Sequence, residues 1–172
     1  MVAYKGSDTG ESAPYNHGLA LAMSDANGGS ACQWQTSSAN AGHSRQEDSS
    51  NIISESGLQY RNATHNSDTY PAFKAAFSNN GTTQPANCSD WFLPSAYQWN
   101  QMIGSSGMGS YTALRDAFSS KGGTNIRSNW YWTSTERSDS QAWCYLFLNG
   151  TWGVYCTKTT PNSNLVRSAL AF

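Results

Sequence analysis

The most informative stretch of the sequence is residues 130–156, which read WYWTSTERSDSQAWCYLFLNGTWGVYC. Trp130 and Trp132 recur with a period of two, which is typical of a strand. Further on, the apolar runs 142–148 and 151–156 are separated by Asn149-Gly150, a dipeptide that favours a two-residue hairpin turn. We therefore predict an antiparallel sheet near the C-terminus of the chain.

Three segments upstream carry the signals of short helices. The clearest one follows Pro94, where Ser95 and Gln98 are spaced as a capping box, a reciprocal pair of hydrogen bonds that satisfies the first N–H groups of a helix. The other two are 70–77 and 111–118, in which apolar residues recur at the spacing of one helix face. These segments predict three helices in the middle of the chain.

Short apolar runs at 1–4, 17–23 and 165–172 predict three more strands. Because the helices are segregated from the strands along the chain, the predicted fold class is α+β. A length of 172 residues suits one domain, and we expect a single domain over 1–172 that forms the C-terminal part of a longer protein.

The composition excludes several classes of protein. Charged residues are 12% of the chain and the net charge is −1, so no basic surface for nucleic acid is expected. No run of 18 apolar residues could cross a membrane. Aromatic residues reach 13%, enough to build a core and to argue against disorder.

Several stretches, in their order and spacing, resemble bacterial and phage C-type-lectin-like domains. This group includes the variable proteins of diversity-generating retroelements, which are related to phage receptor-binding proteins and surface lipoproteins. The matching stretches are HGLALA at 17–22, DWFLPS at 90–95, YWTSTE at 131–136, Trp143 with Phe147, Gly150 and Lys158, and VRSALAF at 166–172.

The resemblance implies a C-type-lectin-like fold in which the C-terminal hairpin and its loops display a variable, ligand-binding surface. Residues that match the fixed positions of the family would hold the backbone: Trp132, Trp143, Phe147, Gly150, Lys158, Arg167 and Phe172. Retroelement mutagenesis alters adenines, so varied positions cannot become Lys, Glu, Gln, Met or Trp. Between residues 137 and 164 this rule excludes only Gln141, Trp143, Trp152 and Lys158.

The candidate ligand-binding residues are drawn from the remaining positions of this segment. Tyrosine offers a large rigid contact area and Ser, Thr and Asn offer adaptable hydrogen bonds, as in antibody paratopes. If Trp143 and Phe147 face the core, alternation along the strand displays Cys144 and Leu148. The full predicted set is Ser138, Asp139, Ser140, Cys144, Tyr145, Leu148, Thr151, Tyr155, Thr157, Thr159, Pro161 and Asn162.

The cysteines give no clear disulfide framework. A two-residue turn at Asn149-Gly150 pairs Trp143 with Cys156, which places Cys144 and Cys156 on opposite faces and argues against a bond. A change of one residue in the loop would reverse this conclusion. A bond between Cys32 and Cys88 stays open, since sequence cannot settle connectivity.

No signature of an enzyme, metal site or cofactor emerges, so we expect a non-enzymatic protein without cofactors. The chain has no G-x-S-x-G, H-E-x-x-H or EF-hand pattern. His43 and His65 lie in polar segments, where a solvated imidazole is expected. The expected partner is a protein or glycan ligand, and the expected location is the cell surface, the extracellular space or a virion. Two alternatives stay open: a structural domain of a surface fibre or pilus, and a fixed carbohydrate-binding lectin.

Overall fold

The computed structural model describes residues 1–43, 45–48, 50–149, 151–161 and 164–172, with the backbone alone for 151–154. In this part of the chain the strands form two three-stranded antiparallel sheets, in the orders β1-β2-β6 and β3-β4-β5. Three α-helices lie between β2 and β3 along the chain. The elements are β1 (Val2–Lys5), β2 (Gly18–Leu21), α1 (Pro71–Ser78), α2 (Ala96–Ile103), α3 (Tyr111–Asp116), β3 (Trp130–Glu136), β4 (Gln141–Leu146), β5 (Thr151–Thr157) and β6 (Ala169–Ala171). The α+β class is confirmed.

Local capping signals set the helix ends. At α2 the Ser95 hydroxyl accepts from the Gln98 N–H at 3.1 Å, and Gln98 Oε1 accepts from the Ser95 N–H at 3.0 Å. The Ser110 hydroxyl caps α3 by accepting from the Ala113 N–H. The predicted capping box is therefore confirmed, as is the predicted order of helices and strands.

The first sheet holds both ends of the described chain. Strand β2 lies in its centre and pairs with β1 on one side and β6 on the other. The N–H groups of His17 and Gly18 both donate to the carbonyl of Phe172, at 2.7 and 3.0 Å. Only 169–171 of the predicted strand 165–172 is β6, while Leu165 forms an isolated parallel bridge with Tyr131 of the second sheet.

Aromatic side chains from both halves of the chain make one large core. Trp34, Trp99, Trp132 and Phe92 are fully buried in it. Arg167, whose guanidinium is also fully buried, forms an ion pair with Asp25 at 3.0 Å and donates to two backbone carbonyls. A buried guanidinium with these partners ties the segment before β6 to the loop after β2.

The hairpin connection differs from the prediction. Leu146 pairs with Thr151, so residues 147–150 connect the strands instead of a two-residue turn. The ladder is also shifted between Cys144 and Leu146. Phe147 has left the strand: its side chain is buried and its N–H donates to the Asn129 carbonyl at 3.1 Å. Burial of this ring outside the ladder ends β4 two residues earlier than the predicted strand.

The predicted absence of a disulfide is wrong. Cys144 and Cys156 are bonded, with their Cα atoms 6.3 Å apart. In the observed register Cys156 pairs with Ala142, two residues from Cys144, so both cysteines lie on the same face of the sheet. The predicted register paired Cys156 with Trp143, so the observed register differs from it by one residue. Cys32 and Cys88 are both free thiols.

Candidate binding face

Part of the predicted ligand-binding set forms an exposed surface on the second sheet and its loops. Leu148 is 61% exposed and Tyr155 is 45% exposed, which is unusual for large apolar side chains in this chain. Around them, Ser138 and Thr159 are half-buried, and the side chains of Asp139, Ser140, Thr157 and Pro161 are exposed. We call the exposed and half-buried members of this set the hairpin face.

Two predicted members are buried and cannot lie on this surface. Cys144 is fully buried in its disulfide, and Tyr145 is 4% exposed with its ring 4.7 Å from that of Phe147. Burial raises the pKa of the Tyr145 hydroxyl to about 12. The expectation failed because β4 is the central strand and both of its faces are covered, so alternation leaves no exposed face between Ala142 and Tyr145.

Other predicted positions lie outside the described residues. These are Gly150 and Asn162, together with the side chain of Thr151. Of the remaining predicted scaffold side chains, Phe172 is half-buried and the others are buried: Trp132, Trp143, Phe147, Lys158 and Arg167.

A buried ion pair fastens a long loop across the base of the hairpin. The Lys158 ammonium and the Glu136 carboxylate are in contact, and both side chains are fully buried. Lys158 also donates to the Ala39 carbonyl at 3.1 Å, while the Ala41 N–H donates to Glu136 Oε1 at 3.0 Å. The loop around 39–46 is therefore tied to both partners of the pair.

The same loop brings a cation to the hairpin face. Its backbone is fixed directly after Arg45, because the Gln46 N–H donates to the Glu136 carbonyl and the Gln46 carbonyl accepts from Trp143 Nε1 at 2.5 Å. Arg45 reaches the surface and pairs with Asp139. Sequence analysis missed Arg45, since no local pattern shows that a residue 94 positions away meets the hairpin.

Tyr155 is held in place while one side stays exposed. The Arg137 guanidinium lies 3.8 Å from the centre of the Tyr155 ring, and the Trp143 ring lies 6.1 Å away in an edge arrangement. Arg137 also donates to Gln141 Oε1 at 2.5 Å. A ring oriented by a cation and an indole loses little freedom when a ligand packs on it. Arg137 borders the predicted segment but was not predicted to belong to it.

Two histidines expected in solvent are buried instead. His43 and His65 are 6% and 5% exposed, and their Nε2 atoms are 2.8 Å apart. His43 Nδ1 donates to the Ser134 carbonyl at 2.7 Å, and its ring stacks on Tyr60 with 3.5 Å between centroids. Burial lowers the pKa of both imidazoles, that of His43 to about 3. Like the ion pair, the histidine pair ties the 39–46 loop to the rest of the fold.

The charges at the face are few: Arg45 is paired with Asp139, and Arg137 stacks on the Tyr155 ring. The described residues contain no group of three or more His, Cys, Asp or Glu side chains arranged to hold a metal ion. The face therefore offers aromatic stacking, apolar contact and hydroxyl hydrogen bonds rather than a strong electric field. None of the described helices has the length and apolar character needed to cross a membrane.

No protein-family model matches the sequence, and no curated protein matches it significantly. Among solved structures, a fimbrial protein from Bacteroides ovatus has a similar fold, with a TM-score of 0.57 and 15% sequence identity. The match covers 99% of this chain and 43% of the fimbrial chain, so the chain spans less than half the length of that protein. A likeness at this level of identity concerns the fold.

Proposed function

We propose that this chain is a non-enzymatic, adhesin-like binding domain of an extracellular surface structure, and that the hairpin face contacts its ligand. The observation that carries the proposal is the exposure of Tyr155 and Leu148 on a hairpin that a disulfide cross-links and a buried ion pair anchors at its base. The Cys144–Cys156 bond closes a loop of 12 residues, which is worth about 3 kcal/mol in the chain-entropy description. A preorganised surface of this kind loses little entropy on binding.

The chemistry of the face favours a neutral protein or glycan surface as ligand. Tyrosine and leucine supply apolar contact area, and the exposed Ser140 and Thr157 hydroxyls both donate and accept hydrogen bonds. We include a C-type-lectin-like topology in the proposal. It is supported by the first and last strands sharing one sheet while the second sheet carries the hairpin.

A second candidate is a structural domain of a fimbria-like fibre, which the fold likeness to a fimbrial protein favours. In that case the aromatic side chains of the hairpin face would be buried against a neighbouring subunit. The two candidates differ in what they expect of Tyr155: a free side chain that contacts ligand, or one covered in an assembly.

Tyr155→Ala is expected to abolish binding of the labelled domain on a glycan and glycoprotein array while changing the free energy of unfolding by less than about 1 kcal/mol, because the ring is largely outside the core. Tyr145→Ala is the matched control, since it removes the same ring from a buried site. It is expected to cost about 3–5 kcal/mol in chemical denaturation.

Array binding that survives both Tyr155→Ala and Leu148→Ser would contradict a ligand site on this face. Light scattering separates the two candidates further. If the domain self-associates and Tyr155→Ala dissociates the assembly, the fibre candidate replaces the binding candidate. Running the array with and without calcium also tests the fixed-lectin alternative.

We further propose that the hairpin face is diversified by a retroelement, as the resemblance implies. Sequencing the genomic locus is expected to show a near-identical repeat of the last ~40 codons downstream, differing only at adenines, beside a reverse transcriptase gene. Substituted codons should fall at hairpin-face positions and not at Trp132 or Lys158. A locus without a repeat or a reverse transcriptase would refute diversification and leave a fixed binding surface.

A further inference from the structure

The first sheet has an apolar face that the main core does not cover. Ala20, Ala22, Leu170 and Trp91 form a small cluster separate from the main core. Beside them, Val2 of the edge strand β1 is 46% exposed. The segment 82–91 lies over this face only in part.

A groove of about 890 Å³ remains between the sheet and this segment. Its volume falls in the range of about 300–1,000 Å³ that is typical of small-molecule sites. Trp91 contributes to one wall, where its Nε1–H donates to the Thr82 carbonyl at 2.8 Å, so the indole is fixed and its donor is used. The described lining contains no Asp, Glu, Lys or Arg side chain, and the Met1 ammonium that borders it donates to the Leu21 carbonyl. A charged ligand would therefore lose its hydration without meeting an unpaired counter-charge.

One polar side chain in the lining lacks a partner. Asn79, at the C-terminal end of α1, is 3% exposed, and its Oδ1 accepts no hydrogen bond from any described residue. Leaving a buried acceptor unpaired is unfavourable. Oδ1 is shielded from solvent in this orientation, so a ligand hydroxyl or N–H group supplies the missing donor when the amide turns Oδ1 toward the groove.

We propose that this groove binds a small, uncharged and mainly apolar molecule that carries at least one hydroxyl or N–H donor. The apolar walls take the body of the molecule, and the Asn79 amide accepts from its donor. The site belongs to the first sheet, whereas the hairpin face belongs to the second, so this inference does not depend on the proposed function.

A reactive thiol in the groove allows its occupancy to be measured. Cys88 is a half-buried free thiol in the lining. The other free thiol, Cys32, is buried, and burial raises its pKa to about 12, which suppresses its thiolate. Alkylation by N-ethylmaleimide is therefore expected at Cys88, and its rate measures how open the groove is.

The experiment uses N-phenyl-1-naphthylamine, a neutral fluorophore with two aromatic groups and one N–H donor. We expect saturable binding at one site per chain and an at least fivefold fall in the alkylation rate of Cys88 at saturation. Val2→Asp places a carboxylate at the groove and is expected to weaken binding at least tenfold. Ile53→Asp is the matched control, because Ile53 is also an exposed apolar residue, at 57%, and does not line the groove.

The Asn79 contact has a separate test. Asn79 has a φ of +40°, a left-handed conformation that glycine adopts readily, so Asn79→Gly removes the acceptor with little backbone strain. The wild type is expected to prefer the naphthylamine over 1-benzylnaphthalene, which has no donor, and Asn79→Gly should lose that preference.

Non-saturable binding, an unchanged alkylation rate at Cys88 in the wild type, or equal weakening by Val2→Asp and Ile53→Asp would each overturn the proposal. A dimer in light scattering that Val2→Asp dissociates would also overturn it, by showing that a second copy of the chain covers the groove. The Cys88 measurement needs no variant, so a variant that fails to fold does not remove the test.

Discussion

Lys158→Met is expected to lower the free energy of unfolding by about 3–5 kcal/mol, because it leaves the Glu136 carboxylate buried without its counter-charge. Methionine keeps much of the length of the lysine stem, so the loss reports the charge rather than a cavity. The ammonium also lies 4.6 Å from the centre of the Trp34 ring, a cation–π contact that methionine gives up. Chemical denaturation at pH 7 measures the effect.

A double variant separates the ion pair from general damage to the core. Lys158→Met with Glu136→Gln buries neither charge, and the glutamine Oε1 can still accept from the Ala41 N–H. The double variant is expected to be more stable than Lys158→Met alone. Hydrogen exchange at the amides of Ala41 and Gln46 should quicken in the single variant, since both donate to Glu136. A single variant within about 1 kcal/mol of the wild type would contradict the pairing.

Acidification is expected to destabilise the protein through His43. Its pKa is about 3 in the folded chain, against 6.5 for a free imidazole, so the unfolded chain binds the proton more readily. The stability that His43 contributes is fully present above pH 6.5 and is lost as the pH falls from 6.5 towards 3. At 1.36 kcal/mol per pKa unit, the loss by pH 3.5 is about 4 kcal/mol.

His43→Gln isolates this contribution, because glutamine is polar and does not titrate. Denaturation between pH 7.5 and 3.5 should show a shallower decline for the variant than for the wild type. Other groups add to the wild-type curve. The pKa of His65 is also lowered, so His65 adds to the loss of stability at low pH. Burial raises the pKa of Glu11 and Glu55, so protonation of these two carboxylates favours the folded state and opposes that loss. Parallel curves for the two proteins would show that His43 does not titrate as described.

Features set by neighbouring residues could be predicted from the sequence. The capping box joins Ser95 to Gln98 across three positions, and the alternation from Trp130 marks β3 directly. The class and the order of elements follow from such local signals. A C-type-lectin-like topology, which the resemblance implies, stays a prediction.

Features that depend on distant contacts could not be predicted. The hairpin register changes because Phe147 is drawn into the core and bonds to Asn129, which a turn dipeptide does not reveal. Tyr145 is buried because both faces of β4 are covered, one of them by a loop about 100 residues earlier that carries Gln46 to Trp143. Tyr155 and Leu148 of the hairpin face could be predicted from the local sequence. Arg45 could not, because it meets this face through a contact that is distant in sequence.

The pairing of β1 and β6 with the same central strand also bears on protein engineering. The carbonyl of Phe172 accepts from His17 and Gly18, and the Met1 ammonium donates to the Leu21 carbonyl at 2.6 Å. Both ends are thus anchored to one strand, in the sheet that does not carry the hairpin. The domain is therefore suited to insertion as a cassette into a surface loop of an unrelated carrier, joined at two points and presenting the hairpin for randomised libraries.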